Sequence, residues 1–407
     1  MTSGPATERA LAATGTQALD GERPKRILVV NRGTPRPDQD SGSLDLANML
    51  SIFRGLGHEV TFVPVKLIPR GVPLPNIAQR DGLYTEDLER QGIECLHAPR
   101  NLSLGSYLRK HGRKFDVIVV HRGRVLARFL RAIRKFAPQA KLIFNTVDLH
   151  YLREEREAEL LSNVFYKWKA KDTKWRELLA VRGADTTLVL SEVEREILAK
   201  EVPEAKIEIL PLIRDIPGRT RGFEGRSGVL FVGGFRHRPN IDAVRYFLAE
   251  VWPKVLEKRP DLPFWIAGSS MPAEVLAWAS DTVHPLGYIP DLTDLHGQVC
   301  ATVAPLRYGA GLKGKVAASL GYGVPCITTS VGVEGSGLVD GENIIVRDDP
   351  EGIAAAIVEL HDDPERWEAL SQRGLEFAAA RYGRKTIEKR LAAMIGDTPQ
   401  LSAPSTE

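Results

Sequence analysis

Residues 304–329 read APLRYGAGLKGKVAASLGYGVPCITT, and the fold turns on how they are parsed. The short apolar run Ala301–Ala304 leads into a loop with glycines at 309, 311 and 314. Lys315–Gly321 has helical spacing, and Cys326–Thr329 is apolar and β-branched again. Strand, loop, helix and strand in that order form a βαβ unit, which requires a parallel sheet covered on both faces. Working backward, the same alternation supplies strands Val229–Val232, Phe264–Ala267 and Thr282–Pro285, with a helix over Ile241–Lys258. Forward, it supplies Asn343–Val346 and a helix over Pro350–Leu360. A second series occupies the first half: Arg26–Asn31, Glu59–Val63, Ile93–His97, Asp116–His121, Lys141–Thr146, Thr186–Ser191 and Lys206–Leu210, with a first helix over Ser43–Leu56. The predicted fold class is therefore α/β, with two doubly wound, Rossmann-like parallel-sheet domains facing across a cleft.

The chain has 407 residues, which at roughly 100–200 per domain also suggests two domains. Between the two series, residues 214–228 hold four Gly, one Pro and four Arg and read as a linker. The predicted organisation is a loose tail (1–24), a first domain (25–213), the linker, a second domain (229–382), a C-terminal helix (383–396) able to cross back to the first domain, and a second tail (397–407). Hydrophobic residues at 43% and charged residues at 26% exclude a disordered chain. Net charge is only +3, so overall charge names no partner and gives no case for nucleic acid. Its distribution is uneven, however: Arg109–Lys141 contains eleven bases and a single acid, Asp116. Cys95, Cys300 and Cys326 form no CxxC pair, which reads as a reducing compartment without a metal site or disulfide framework. The N-terminal stretch lacks the pattern of a signal peptide and no apolar run approaches a membrane span, so a cytoplasmic location is expected.

Glycines between a strand and a helix let backbone N–H groups approach a phosphate, and the helix N-terminus adds positive potential. Lys313 and Lys315 add charge there. The alternative reading is a glycine-rich turn with solvated lysines. By letter the loop spells GxGxxG, but it follows a late strand rather than opening a dinucleotide domain, and no GK[ST] follows.

The segment GAGLKGKVAASLGYGVPCITTSVGVEG resembles the donor-binding signature of the GT-B glycosyltransferases, specifically the retaining family-4 type. The resemblance extends back through LFVGGFRHRPNIDAVRYFLAEVWP at Leu230–Pro253, FWIAGSS and VHPLGYIPDLTDL, and forward to the helix opening at Asp363. In the first half, NRGTPRPDQDSGS and TVDLHYLREEREAEL are similar to bacterial surface-polysaccharide transferases of this type. The resemblance implies a hexosyl-type transferase that needs no metal or other cofactor. A nucleotide diphosphate-sugar donor would lie in the second half, with its diphosphate on Gly309, Gly311, Leu312, Lys313 and Lys315 and its base facing Tyr288 and Ile289. Gly233, Gly234, Arg236 and Arg307 would complete the donor side, with Lys313 assisting the leaving group. A glycan or lipid-linked acceptor would be held by the first half. The Glu-x7-Glu pair of such enzymes is replaced by Ala310 and Ala318, and the usual downstream Lys by Asn240. Glu334 is the remaining acid placed to hold the donor ribose.

Asp148 and His150 follow strand Lys141–Thr146 and should reach the crevice, where a histidine can donate to a sugar hydroxyl or carry a proton. A surface histidine at a helix start, with Asp148 as N-cap, is the other reading. His121 ends a strand in the same way and is either an acceptor contact or a hydrogen-bonded edge histidine. Asp38 and Asp40 have DxD spacing. In this loop Asp40, Ser41 and Gly42 are assigned to acceptor binding, with a solvated turn as the alternative. Trp168 and Trp175 are seven residues apart and read as a packed helical stripe. Arg124, Arg128, Arg131 and Lys135 form a stripe opposite Val125, Phe129, Ile133 and Phe136. It is either an ordinary solvated face or a docking surface for an anionic inner membrane. The rival functions are a nucleotide-sugar epimerase or a phosphorylase on the same fold, and a non-catalytic binding subunit.

Overall fold

The computed structural model describes residues 23–67, 75–152, 154–155, 164–309 and 311–396. Most of the two predicted tails, Ala310 and much of the segment after Leu152 lie outside the described residues.

Two all-parallel sheets are present. The first comprises β1 (Arg26–Asn31), β2 (Glu59–Pro64), β3 (Glu94–Cys95), β4 (Val117–His121), β5 (Lys141–Asn145), β6 (Thr186–Val189) and β7 (Ile207–Ile209), in the order β3-β2-β1-β4-β5-β6-β7. The second comprises β8 (Val229–Val232), β9 (Phe264–Ala267), β10 (Val283–Gly287), β11 (Ala301–Ala304), β12 (Cys326–Thr328) and β13 (Ile345–Val346), in the order β10-β9-β8-β11-β12-β13. The strands are apolar without alternation because helices cover both faces: Ile27, Leu28, Val29 and Val30 are all fully buried. Leu28 and Val30 belong to the core beneath the helices Leu104–His111, Gly123–Phe136 and Val164–Gly183, while Ile27 and Val29 belong to the core beneath the helix Ser41–Gly55. The strand expected over Ile93–His97 is only two residues long, being at the sheet edge with one partner to pair.

The helix Arg384–Ile395 packs on the first domain, its Ile387, Leu391, Met394 and Ile395 buried with Ile27, Val29 and Leu46. Lys141 Nζ donates to the carbonyl of Met394 (2.5 Å) near its end. The outgoing and returning chains run side by side, because Arg214 N–H donates to Tyr382 O (2.8 Å) and Arg384 N–H to Arg214 O (3.1 Å). The Arg214 guanidinium is buried and pairs with Asp45 (2.5 Å). Within 214–228 the later residues dock on the second domain: Arg226 stacks over Trp367 at 4.8 Å and donates to His296 O (2.6 Å) and Val299 O (2.9 Å).

Two surface readings change. Trp168 and Trp175 are not a packed stripe; they are 65% and 62% exposed. The buried side of that helix is made instead by Ala170, Thr173, Glu177, Ala180 and Val181. Of the basic stripe, Arg124 is drawn into the helix–helix seam, donating to Thr173 Oγ1 (2.7 Å) and Glu154 Oε1 (3.4 Å), while Arg128, Arg131 and Lys135 face outward. No described helix is long and apolar enough to cross a membrane.

Candidate functional site

Each sheet reverses its winding once, between β1 and β4 in the first and between β8 and β11 in the second. The crevice past the carboxyl ends of strands at such a switch is where open α/β sheets bind ligands. The loops that meet there follow β1, β4, β8 and β11, and four second-domain glycines bring the domains close. A Cβ on Gly234 would lie 3.1 Å from Gln39 O, and one on Gly311 3.7 Å from Asp148 Cβ. One on Gly314 would lie 2.7 Å from Ser41 Oγ, and one on Gly335 2.9 Å from Ser191. Side chains at 314 and 335 would therefore hold the two halves apart.

The loop after β11 carries the donor-side candidates. Gly311 has a left-handed backbone (φ 68°), which glycine adopts without steric penalty. Lys313 is the N-cap residue of helix Gly314–Gly321, and its Nζ donates to Gly311 O (2.5 Å). Leu312 is buried in the adjoining core with Val316 and Ala317 and anchors the loop. Lys315 points toward β8 and the helix that follows it. Its Nζ donates to Asn240 Oδ1 (2.5 Å) and lies 4.2 Å from the centre of the Phe231 ring. It forms no ion pair among the described residues. Burial, with Lys313 adding repulsion, pulls its pKa down to about 7. A lysine held over an aromatic ring beside an amide, at a helix N-terminus after a glycine loop, is only partly charged at neutral pH, and an arriving anion would favour its ammonium form.

Facing this loop, the first domain presents His150. Its Nδ1 lies 3.0 Å from Asp148 Oδ1 and 3.2 Å from Glu177 Oε1, and its Nε2 lies 3.3 Å from Arg122 Nη1. Arginine only donates, so Nε2 accepts and Nδ1 carries the proton toward the carboxylates in the neutral tautomer. Glu177 is buried and also accepts from the backbone N–H groups of His150 (3.3 Å) and Tyr151 (3.2 Å), which fixes the turn. Behind it Glu194 accepts from Leu190 N–H (2.8 Å), and burial, aided by the charge of Asp148, raises its pKa to about 7. Arg122 and Val147, directly after β4 and β5, have φ values of 73° and 68°. Such backbone in non-glycine residues clusters at functional sites. Glu177 and Glu194 were missed by the sequence reading, because they sit inside helices with no local motif.

The other predicted residues divide. Asp40 caps the helix Ser41–Gly55, accepting from Ser43 N–H (2.8 Å) and Ser43 Oγ (2.8 Å). Asp38 accepts from the Tyr84 hydroxyl (2.9 Å). Ser41 accepts from the Arg214 guanidinium, and Gly42 lies under Val147, whose Cγ1 would be 3.2 Å from a Cβ. His121 is fully buried with no partner for Nε2 among the described residues. Burial, reinforced by Arg122, drops its pKa to about 3, so it is neutral. It lines a small cavity with Gly42, Asn145, Val147 and Leu190. Arg307 is paired through two bonds with Asp242 and stacked on Tyr246. That engagement draws its guanidinium onto its own domain. Arg236 reaches across the cleft to Gln39 Oε1 (3.4 Å). Gly233 is packed against Asn240, which donates to Gly234 O (2.7 Å). Tyr288 is 48% exposed, with its hydroxyl pKa raised by burial and by the nearby charge of Asp38, whereas Ile289 joins a small core with Leu292 and Leu295. Glu334 ends a short helix beside Gly335, at the contact with Ser191. No cluster of three or more metal-ligating side chains occurs among the described residues.

Comparison with known proteins places this geometry. Residues 226–363 match the family model described as glycosyl transferases group 1. A Klebsiella pneumoniae relative, an uncharacterized 44.6 kDa protein in the cps region, is 20% identical over 387 residues, covering 89% of this chain and 97% of its own length. Among solved structures, Anabaena HepE in complex with UDP superposes with a TM-score of 0.67 at 13% identity, over 91% of this chain and 99% of that one. The sucrose-phosphate synthase of Thermosynechococcus elongatus gives 0.66 at 15% identity, over 91% and 98%. The chain thus has the GT-B fold, and its second domain matches the group 1 glycosyl transferases.

Proposed function

We propose that this chain is a glycosyltransferase that moves a sugar from a nucleotide diphosphate-sugar to a glycan or lipid-linked acceptor with retention at the anomeric carbon. The observation that carries this reading is Lys315, partly buried beside Asn240 and Phe231 and without a carboxylate partner among the described residues, at the start of the helix that follows the loop Gly309–Lys313. A diphosphate seated on that loop would supply the missing negative charge. Lys313, Lys315 and the helix N-terminus would stabilise the leaving group without a metal. His150 would contact a sugar or acceptor hydroxyl through Nε2, in an orientation set by Asp148, Glu177 and Arg122. The proposed step is front-face attack, which needs no protein nucleophile, with the departing phosphate accepting the acceptor proton. UDP bound to the Anabaena protein supports a uridine donor, and the cps-region relative supports a role in surface polysaccharide synthesis. Peripheral contact of the first domain with an anionic inner membrane fits a lipid-linked acceptor.

The test is a thermal-shift screen of nucleoside diphosphates and their sugars, followed by detection of released nucleoside diphosphate with candidate acceptors. A ligand at 100 times its Kd adds about 2.7 kcal/mol to native stability. Stabilisation without release over a full acceptor panel would indicate the binding-subunit reading. Release with an inverted product would refute retention. The absence of any nucleotide-dependent shift would refute the donor site.

A further inference from the structure

The helix Val164–Gly183 leaves two tryptophans outside. Trp168 and Trp175 are 65% and 62% exposed, and seven residues at 3.6 per turn set them about 20° apart on the helix. They stand opposite the buried side made by Ala170, Thr173, Glu177 and Ala180, so both indoles crown the outermost ridge. Lys167 and Lys171 flank them, exposed and without an ion pair among the described residues. The neighbouring helix Gly123–Phe136 lies in the same layer, covering the same face of the sheet, and turns Arg128, Arg131 and Lys135 to solvent. Of the eleven Lys/Arg on the two helices, six pair with carboxylates, leaving Arg128, Arg131, Lys135, Lys167 and Lys171 without an ion pair among the described residues. The next helix, Glu192–Glu201, is acidic, whereas Leu104–His111 in the same layer carries Arg109 and Lys110 and no acid, so the positive field ends on the Glu192–Glu201 side.

We infer that this layer docks the chain on an anionic bilayer, with Trp168 and Trp175 seated in the headgroup region and Lys167, Lys171 and the Arg128 row against the lipid charges. The inference rests on the peripheral-membrane part of the proposed function, but not on the donor site. A protein partner is disfavoured by area. Two indoles expose on the order of 300 Å², well short of the roughly 1,000 Å² that a stable interface buries. They also stand on a convex ridge edged by charge. Tryptophans among uncompensated lysines suit the bilayer interface, where the ring sits at headgroup depth and the ammonium groups meet anionic lipid. The helix begins at the cleft end of its domain, as Gly311 and His150 lie just beyond β5, so docking there would present a lipid-linked acceptor toward the crevice.

The experiment is flotation of the full chain with phosphatidylglycerol-containing vesicles and with pure phosphatidylcholine vesicles, at low and high salt. Wild type is expected to float with the anionic vesicles alone and to be released by salt. Trp168→Ser/Trp175→Ser should lower the partition coefficient about tenfold or more. Lys167→Gln/Lys171→Gln should weaken binding at low salt and flatten its salt dependence. Both variants alter exposed side chains, so the melting temperature and its shift with UDP should remain those of wild type, which separates a docking failure from a donor-site failure. Absence of wild-type binding, or equal binding by the tryptophan variant, would overturn the proposal. So would a wild-type dimer that the tryptophan variant makes monomeric, since the ridge would then be a protein interface.

Discussion

Replacing Lys315 with Met separates the demands of donor binding from those of folding. Methionine keeps an unbranched stem near the Phe231 ring and removes the ammonium. In the ligand-free protein the Lys315 pKa is about 7, against 10.5 for an ordinary lysine. A base whose folded pKa lies below its unfolded value opposes folding most at low pH. Between about 7 and 10.5 the unfolded chain binds the extra proton, so stability rises with pH across that window. At neutral pH the penalty reaches about 4 kcal/mol, an upper bound because solvent reaches part of the side chain. Lys315→Met should therefore raise the melting temperature of the ligand-free protein by several degrees at pH 7 and flatten its rise toward pH 9. It should also abolish most of the UDP-induced shift. In wild type the neutral lysine must take up a proton when a diphosphate binds. The UDP dissociation constant should rise by up to about tenfold per pH unit above 7, and calorimetry in buffers of different ionisation enthalpy should show proton uptake. A pH-independent dissociation constant in wild type, or UDP binding by Lys315→Met within twofold of wild type, would refute the assignment of Lys315 to the diphosphate.

Further outcomes follow from the same geometry. Lys313→Ala removes one charge-assisted bond worth roughly 1.5–3 kcal/mol, so donor affinity or turnover should fall by one to two decades. Gly311→Val forces a β-branched residue into a left-handed backbone facing Asp148 and should be at least as damaging, as measured by donor titration. His150→Ala and Asp148→Asn should lower turnover with little change in melting temperature; unaltered rates would remove them from the site. Glu177→Gln should lower the steady-state turnover, because it weakens the carboxylate that holds His150 Nδ1 and the turn at His150 and Tyr151. Glu194 has a folded pKa of about 7, above its ordinary value of 4.5, so its contribution to stability is present below pH 4.5 and lost as pH rises through 7. Glu194→Gln should accordingly stabilise the protein above pH 7 by up to about 3 kcal/mol, seen in urea melts at pH 5 and pH 8. An equal effect at both pH values would rule this out.

What the sequence determined by itself was whatever is encoded locally. The alternation of β-branched runs with helical spacing yielded both parallel sheets, because a strand buried on two faces must be apolar throughout, as Ile27–Val30 and Val229–Phe231 are. The glycines at 309, 311 and 314 marked the loop where a backbone must approach a ligand. The strand order that puts the loops after β1, β4, β8 and β11 at the two switch points is a long-range property invisible to periodicity. The tertiary structure alone joined Arg122, Asp148, His150 and Glu177, which come from three separate segments. It alone showed Arg307 engaged by Asp242, 65 residues away, and Asp40 acting as a helix cap. Burial also had to be observed. The low pKa of Lys315 arises from its burial by the folded chain, with Lys313 adding repulsion, and the exposure of Trp168 and Trp175 from which side of their helix the sheet covers. A residue's neighbours in sequence fix its conformational preferences, but its solvation and partners are set by the chain segments that fold around it.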